Sequence, residues 1–242
     1  MSIQAGSNIP MPKDQNSFLQ GVKDCVPTLL GYMSIGFAFG IVGVSSGLSI
    51  LEIALMSILV YAGSAQFIIC ALLVVNTPAS AIILTTFIVN LRHFLLSLTI
   101  APYLTRYSIS KNIGFGALLT DETFGVAANR IAEQGSLSGK WMNGLNLTAY
   151  LCWIAACTLG GISGQWIANP EALGLDFALV AMFAALLVLQ LHSTERSKLK
   201  HRLSLVLYMV ISMILLSYLV PSHVAVLLST ILVATIGVVT ER

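Results

Sequence analysis

Thr85-Thr-Phe-Ile-Val-Asn-Leu-Arg-His-Phe94 decides how the chain is to be read, because it sets a guanidinium and an imidazole in the middle of an apolar run. A basic residue at the centre of a membrane span costs about 2.5 to 3.5 kcal/mol, so Arg92 calls for a partner or a wet cavity. A break near Asn90 that lets the side chain snorkel to an interface is the structural alternative. Thr86, Asn90, His93 and Ser97 recur at helical spacing and form one polar stripe, with Arg92 on a different side. The reading of this stretch therefore turns on whether its surroundings are membrane.

They are. From Cys25 to Thr105 the formal charges are Glu52 and Arg92, and from Leu203 to Thr240 there are none. Of 242 residues 57% are hydrophobic and 9% charged, where soluble domains carry about a quarter charged residues. With a mean hydropathy of +0.89, water is not the main solvent of this chain. Apolar stretches near 26–47, 51–75, 79–104, 113–131, 142–163, 175–192, 203–220 and 223–240 are each long enough for a span of about 20 residues. The fold class is an all-α polytopic transmembrane bundle of about eight segments. The third, with Arg92 and His93, and the fourth, with Asp121 and Glu122, are the candidates for broken or re-entrant helices.

Residues 1–25 are polar, carry Pro10, Pro12, Lys13 and Lys23, and lack the apolar core of a cleavable signal. They read as a cytoplasmic tail before a single transmembrane domain over 26–240. Arg196, Lys198, Lys200 and Arg202 crowd one connection whereas Ser163 to Gly174 has no base, so the basic loop is assigned to the cytoplasm and both termini with it. Arg106 and Lys111 fall outside if every segment spans. Making the third and fourth segments re-entrant brings them inside. A parallel internal repeat is suggested by Tyr32, Gly43 and Ser45 against Tyr150, Gly161 and Ser163, and by Ala54, Leu55 and Gln66 against Ala178, Leu179 and Gln190. Chance matching in apolar sequence is its alternative.

Gly36, Gly40, Gly43 and Gly47 share a face of the first segment and predict close helix packing, with a smooth substrate path as the other reading. In the second segment, Leu59-Val-Tyr-Ala-Gly-Ser-Ala-Gln-Phe67, Ser57, Tyr61 and Ser64 share a face. Gln66 puts a primary amide in hydrocarbon, where an unpaired amide is costly. Either it bonds a neighbouring helix, or Ala62, Gly63 and Ala65 make room for a substrate's charged groups. Leu118-Leu-Thr-Asp-Glu-Thr-Phe124 holds paired carboxylates within an apolar region. Adjacent helical residues point about 100° apart, so Asp121 and Glu122 are expected to have different partners. One can neutralise Arg92 and the other can be protonatable, unless the pair is a water-exposed turn.

Enzyme readings are thin. Gly161-Ile-Ser-Gly164 matches the short GxSG pattern of intramembrane proteases, but His192 belongs to the opposite end from Ser163, leaving His223 as the candidate base. No HExxH, P-loop or paired-cysteine motif occurs, so neither a cofactor nor a metal is expected. Cys25, Cys70, Cys152 and Cys157 sit among apolar residues and read as packing. A net charge of +2 gives no reason to expect nucleic acid.

Gly31-Tyr-Met-Ser-Ile-Gly-Phe-Ala-Phe-Gly40, Leu59 to Phe67, Thr85 to His93, Ala101-Pro-Tyr-Leu104 and Leu119-Thr-Asp-Glu122, in that order, closely resemble the AzlC family of branched-chain amino acid exporters. From Trp141 onward the match rests on Gly174-Leu-Asp-Phe177 and hydropathy. The resemblance implies an inner-membrane permease that pairs with a small AzlD-like membrane subunit and exports valine, leucine or isoleucine, with methionine as a further substrate. The site within that frame is a physical reading. Arg92 engages a carboxylate or an acidic neighbour, and Asp121 or Glu122 engages an ammonium or carries a coupling proton. Tyr61, Ser64, Gln66 and Asn90 supply neutral hydrogen bonds, with Gly63 and His93 beside them. The rival is a channel or a non-transporting scaffold in which the same charges lock helices together.

Overall fold

A computed structural model describes residues 16–167, 196–220 and 222–240, together with scattered positions between 174 and 191. The sixth expected segment, 175–192, is described only at those scattered positions, and its Gln190 and His192 lie outside the described residues, as does the tail over 1–15. Nine α-helices are present among the described residues. They are α1 (Phe18–Ser45), α2 (Ile50–Leu59), α3 (Gly63–Val74), α4 (Ala79–Ile100), α5 (Ile109–Ala117), α6 (Asp121–Gln134), α7 (Gly139–Gly164), α8 (Arg196–Ser217) and α9 (Ser222–Thr240).

Length separates two kinds of helix. Phe18–Ser45, Ala79–Leu104, Gly139–Gly164 and Lys198–Ser217 are long and apolar enough to cross a membrane. By contrast α2, α3, α5 and α6 have 10, 12, 9 and 14 residues, roughly 14 to 21 Å at 1.5 Å per residue against a hydrocarbon core of about 30 Å. None of these four crosses alone.

The spine is α1 against α7. Ideal Cβ atoms on Gly21, Gly40, Gly144 and Gly160 would fall 2.1 Å from the carbonyl oxygens of Trp141, Cys157, Phe18 and Phe37 respectively, so the backbones touch. That is the close approach small residues permit in lipid. Numbers rise together along the seam, from Gly21 beside Trp141 to Ile41 beside Gly164, so α1 and α7 run parallel. This is the relation the suggested repeat needs of these two helices. Its second matched block lies outside the described residues. Gly36 and Gly43 also pack as expected, against Ala156 and Ile53. Gly47 does not: it follows the end of α1 with φ +87° and open space around it, so it serves the turn into α2.

The two pairs of short helices are hairpins that enter from opposite faces. In the first, Ile53 of α2 sits against Gly43 and Gly161, near the far ends of α1 and α7. The chain descends until Tyr150 donates to the Ile58 carbonyl at 2.9 Å and Gly63 meets the Trp153 ring. It then returns, with the Phe67 ring on Phe39 and the Cys70 thiol at the Ser46 hydroxyl, back at the end of α1. Gln66 closes the hairpin by donating to Ser57 at 3.1 Å.

The second hairpin mirrors this from the face where α1 begins. Tyr107 accepts from the Gly139 amide at 2.6 Å, and Asn146 donates to the Phe115 carbonyl at 3.0 Å as α5 climbs. At the turn His93 meets the Leu119 carbonyl, and α6 descends until Arg130 pairs with Asp24 in the second turn of α1. Between the hairpins α4 makes the single crossing, from Ala79 to Ile100, that lets α1 and α7 be parallel.

Two expectations are corrected here. The third segment is one continuous helix, because Arg92 meets its cost sideways, through partners on both hairpins, and leaves its own backbone intact. The second segment is broken instead, at Val60 to Ala62, with Tyr61 at φ +43°. The fourth, one of the two candidates for a break, is divided into α5 and α6. In addition α1 begins at Phe18, capped by Ser17, so Lys23 and Asp24 are helical ahead of the apolar stretch. Helices α8 and α9 pair antiparallel, with Leu205 against Gly237 and Met213 against Ser229.

Candidate functional site

The tips of the two hairpins meet in the middle of the molecule, and the cavity between them collects most of the polar residues singled out from sequence. Tyr61 to Ser64 come from the first tip and Thr120 to Glu122 from the second. Arg92 and His93 reach in from α4, Tyr32 from α1 and Trp153 from α7.

Arg92 ties the three parts together. Its Nη1 lies 2.8 Å from Asp121 Oδ2, and Nη2 donates to Ser64 Oγ at 2.6 Å. These are charge-assisted distances, stronger than neutral bonds. The pair is not fully buried, with side-chain exposures of 28% and 22%, so it is a contact that an incoming charged group can compete for. Glu122 takes a different partner, as the helical spacing predicts: Tyr32 donates to its Oε2 at 3.2 Å and also bonds the Thr120 hydroxyl. His93 Nδ1 donates to the Leu119 carbonyl at 2.9 Å, since a carbonyl can only accept, and so holds the second tip to α4.

The two tips present opposite electrostatics. Ala62, the residue capping α3, offers no side-chain acceptor, so the first-turn N–H groups of α3 lack a side-chain cap. Their dipole favours an anion. At the second tip Thr120 and Thr123 form a reciprocal capping box, and Asp121 and Glu122 occupy the first turn of α6. That end is already satisfied and carries negative charge. A zwitterion, carboxylate toward α3 and Arg92 and ammonium toward Asp121 and Glu122, matches this polarity.

The cavity itself is small, about 20 Å³, room for about one water. Across it the protein's own Arg92 and Asp121 satisfy each other.

Tyr61, Gly63, Ser64, Arg92, His93, Asp121 and Glu122 of the expected site line it. Gln66 and Asn90 do not. Fully buried Gln66 accepts from the Trp153 indole at 2.9 Å while donating to Ser57, a structural role across the first hairpin. Asn90 lies along α4 away from the cavity, and its Oδ1, like Thr86 Oγ1, has no hydrogen-bond partner among the described residues. Tyr32, Thr120 and Trp153 also line the cavity and were not among the site residues expected from sequence. Thr120 had a detectable signal, a hydroxyl three residues ahead of a second one at the start of an acidic turn; the aromatics had none. Ser163 is in the last turn of α7, while His192 and the His223 side chain lie outside the described residues. All four cysteines are free, and Cys25, Cys70 and Cys157 are buried.

A family model described as AzlC protein matches residues 27–167, from α1 through both hairpins to the end of α7. The chain belongs to the AzlC family. Among curated proteins it is 30% identical over 190 residues to the "Inner membrane protein YgaZ" of Escherichia coli, covering 75% of this chain and 77% of that one. An "Uncharacterized membrane protein" of Archaeoglobus fulgidus is 31% identical over 173 residues, 71% and 74% of the two chains. The "Branched-chain amino acid transport protein AzlC" of Bacillus subtilis is 29% identical over 167 residues, 68% and 64% of the two chains. No solved structure matches. This AzlC-family chain is a multi-pass helical protein of inner-membrane type, consistent with a role in transport.

Proposed function

We propose that this chain is the large subunit of a two-component exporter that carries valine, leucine or isoleucine out of the cell by secondary active transport. The observation that carries the reading is the Arg92–Asp121 pair between two opposed hairpin tips, a charge arrangement complementary to a free amino acid. The relative named as a branched-chain amino acid transport protein supports the substrate class.

In this reading the N-terminal face is cytoplasmic. Lys23, Arg106, Lys111 and Lys140 gather toward it, whereas the connections 46–49, 75–78 and 165–167 at the opposite face have no Lys or Arg. The α5–α6 hairpin then gates the cytoplasmic side and α2–α3 the outer side. Substrate carboxylate takes Arg92 and the N-terminus of α3, and its ammonium takes Asp121. The aliphatic side chain packs on Tyr61, Ala62 and Trp153. With Asp121 committed to Arg92, Glu122 is the better carrier of a coupling proton, which Tyr32 then accompanies. A small AzlD-like membrane subunit completes the exporter, and methionine is an additional substrate.

Valine efflux from cells loaded with a valine-containing dipeptide tests this, with and without the chain and with and without a co-expressed small subunit. Lower internal valine in the presence of both supports export. A scaffold leaves internal valine unchanged when the chain is deleted.

A further inference from the structure

A second, larger cavity lies between α1, α6 and α7 at the N-terminal face, about 320 Å³ against about 20 Å³ at the tips. That is within the roughly 300 to 1,000 Å³ range of small-molecule sites. Arg130 and Asp24 form its charged floor with exposed Glu133 at the rim, and Pro27, Val126 and the Trp141 ring are its apolar walls.

Three observations make this more than a surface dent. First, Arg130 is a buried cation, its side chain 7% exposed, with the guanidinium stacked on the Trp141 ring at 4.5 Å. Asp24, one of the groove's two carboxylates, is held by the Trp141 indole at 2.7 Å and by Gln20 at 2.7 Å. Second, Arg130 is held by longer polar contacts than Arg92, with Asp24 at 3.3 Å and Asn16 Oδ1 at 3.5 Å against 2.8 Å for Arg92–Asp121. Third, α1 and α6 each line both cavities. Glu122, Val126, Asn129, Arg130 and Glu133 fall on one face of α6, and Asp24, Pro27 and Gly31 on one face of α1. A Cβ added at Gly31 or Gly125, which lie between the two cavities along α1 and α6, would meet nothing within 4 Å.

We infer that this groove is a loading subsite for a zwitterionic amino acid with an aliphatic side chain, bound before it passes to the hairpin tips. Arg130 takes the carboxylate, Asp24 and Glu133 take the ammonium, and Val126 and Pro27 meet the side chain. The inference rests on the exporter reading for its ligand class, but the subsite has its own residues and its own test.

Asn129 is exposed on the rim, so an Asn129→Cys chain can be labelled by a charged thiol reagent in membranes. L-Leucine at ten times its dissociation constant should slow that labelling about tenfold, since mass action leaves roughly one site in eleven empty. Protection should persist when Arg92→Ala is added and disappear with Arg130→Gln. Val126→Trp, which fills the groove without touching a charge, should abolish protection too, covering the case in which Arg130→Gln fails to insert. Labelling at the same rate with and without leucine overturns the subsite even if dipeptide-loaded cells export valine normally. Protection that vanishes with Arg92→Ala also overturns it, because leucine then binds at the tips alone. Protection in a chain that exports nothing upholds the subsite and defeats the exporter reading.

Discussion

The two hairpins share a shape and differ in chemistry. The α2–α3 hairpin has a neutral tip, an uncapped helix N-terminus and an internal Ser57–Gln66–Trp153 relay that fixes it to α7. In the α5–α6 hairpin the tip is acidic and doubly capped, and it is fixed at the tip itself, by Tyr32 and His93. Arg92 stands between them on an unbroken helix and bonds both. One tip is thus suited to a carboxylate and the other to an ammonium, and the rigid α1–α7 seam sets the distance between them.

Gly40→Leu strikes the seam on which both hairpins depend. A side chain there runs into the Cys157 backbone, and overpacking against backbone should cost more than about 3 kcal/mol. Thermal denaturation in detergent should show a large loss of stability, with both hairpins exchanging amide hydrogens faster. Exchange confined to one hairpin would mean the seam is not their common support.

Gln66→Leu separates the two. It leaves the buried Trp153 indole N–H without its acceptor, a cost of about 1 to 3 kcal/mol. Faster exchange is expected in α2 and α3 and unchanged exchange in α5 and α6. Thr120→Ala is the converse and smaller test. It removes the cap of α6, worth about 1 kcal/mol, and should loosen α5–α6 with α2–α3 unaffected. Equal responses in both hairpins to either variant would dissolve the distinction.

The contrast also explains what could be read from sequence. Arg92, Asp121 and Glu122 stood out because charge in hydrocarbon is costly wherever it sits, and the structure brings all three to one cavity. The membrane-spanning character of the bundle followed from the same economy of charge. The break in the second segment left no such mark: Val60, Tyr61 and Ala62 are apolar, and neither proline nor charge signals the turn. Its cause is tertiary, with Tyr150 bonding the Ile58 carbonyl and stacking edge-on with Tyr61 at 4.8 Å. Conversely Arg92 invited a break in the third segment that its partners on the two tips made unnecessary. The seam was half legible, since Gly36, Gly40 and Gly43 of α1 were read as packing, whereas Gly161 and Gly164 of α7 were noted for other reasons and Gly21, Gly144 and Gly160 not at all.

Valine efflux from dipeptide-loaded cells carrying Arg92→Ala or Asp121→Asn, compared at matched levels of inserted protein, tests the central cavity most directly. Losing a charge-assisted contact to substrate, worth about 1.5 to 3 kcal/mol, should slow efflux roughly 10- to 100-fold in each variant. Efflux at the parental rate from either normally inserted variant would contradict the account.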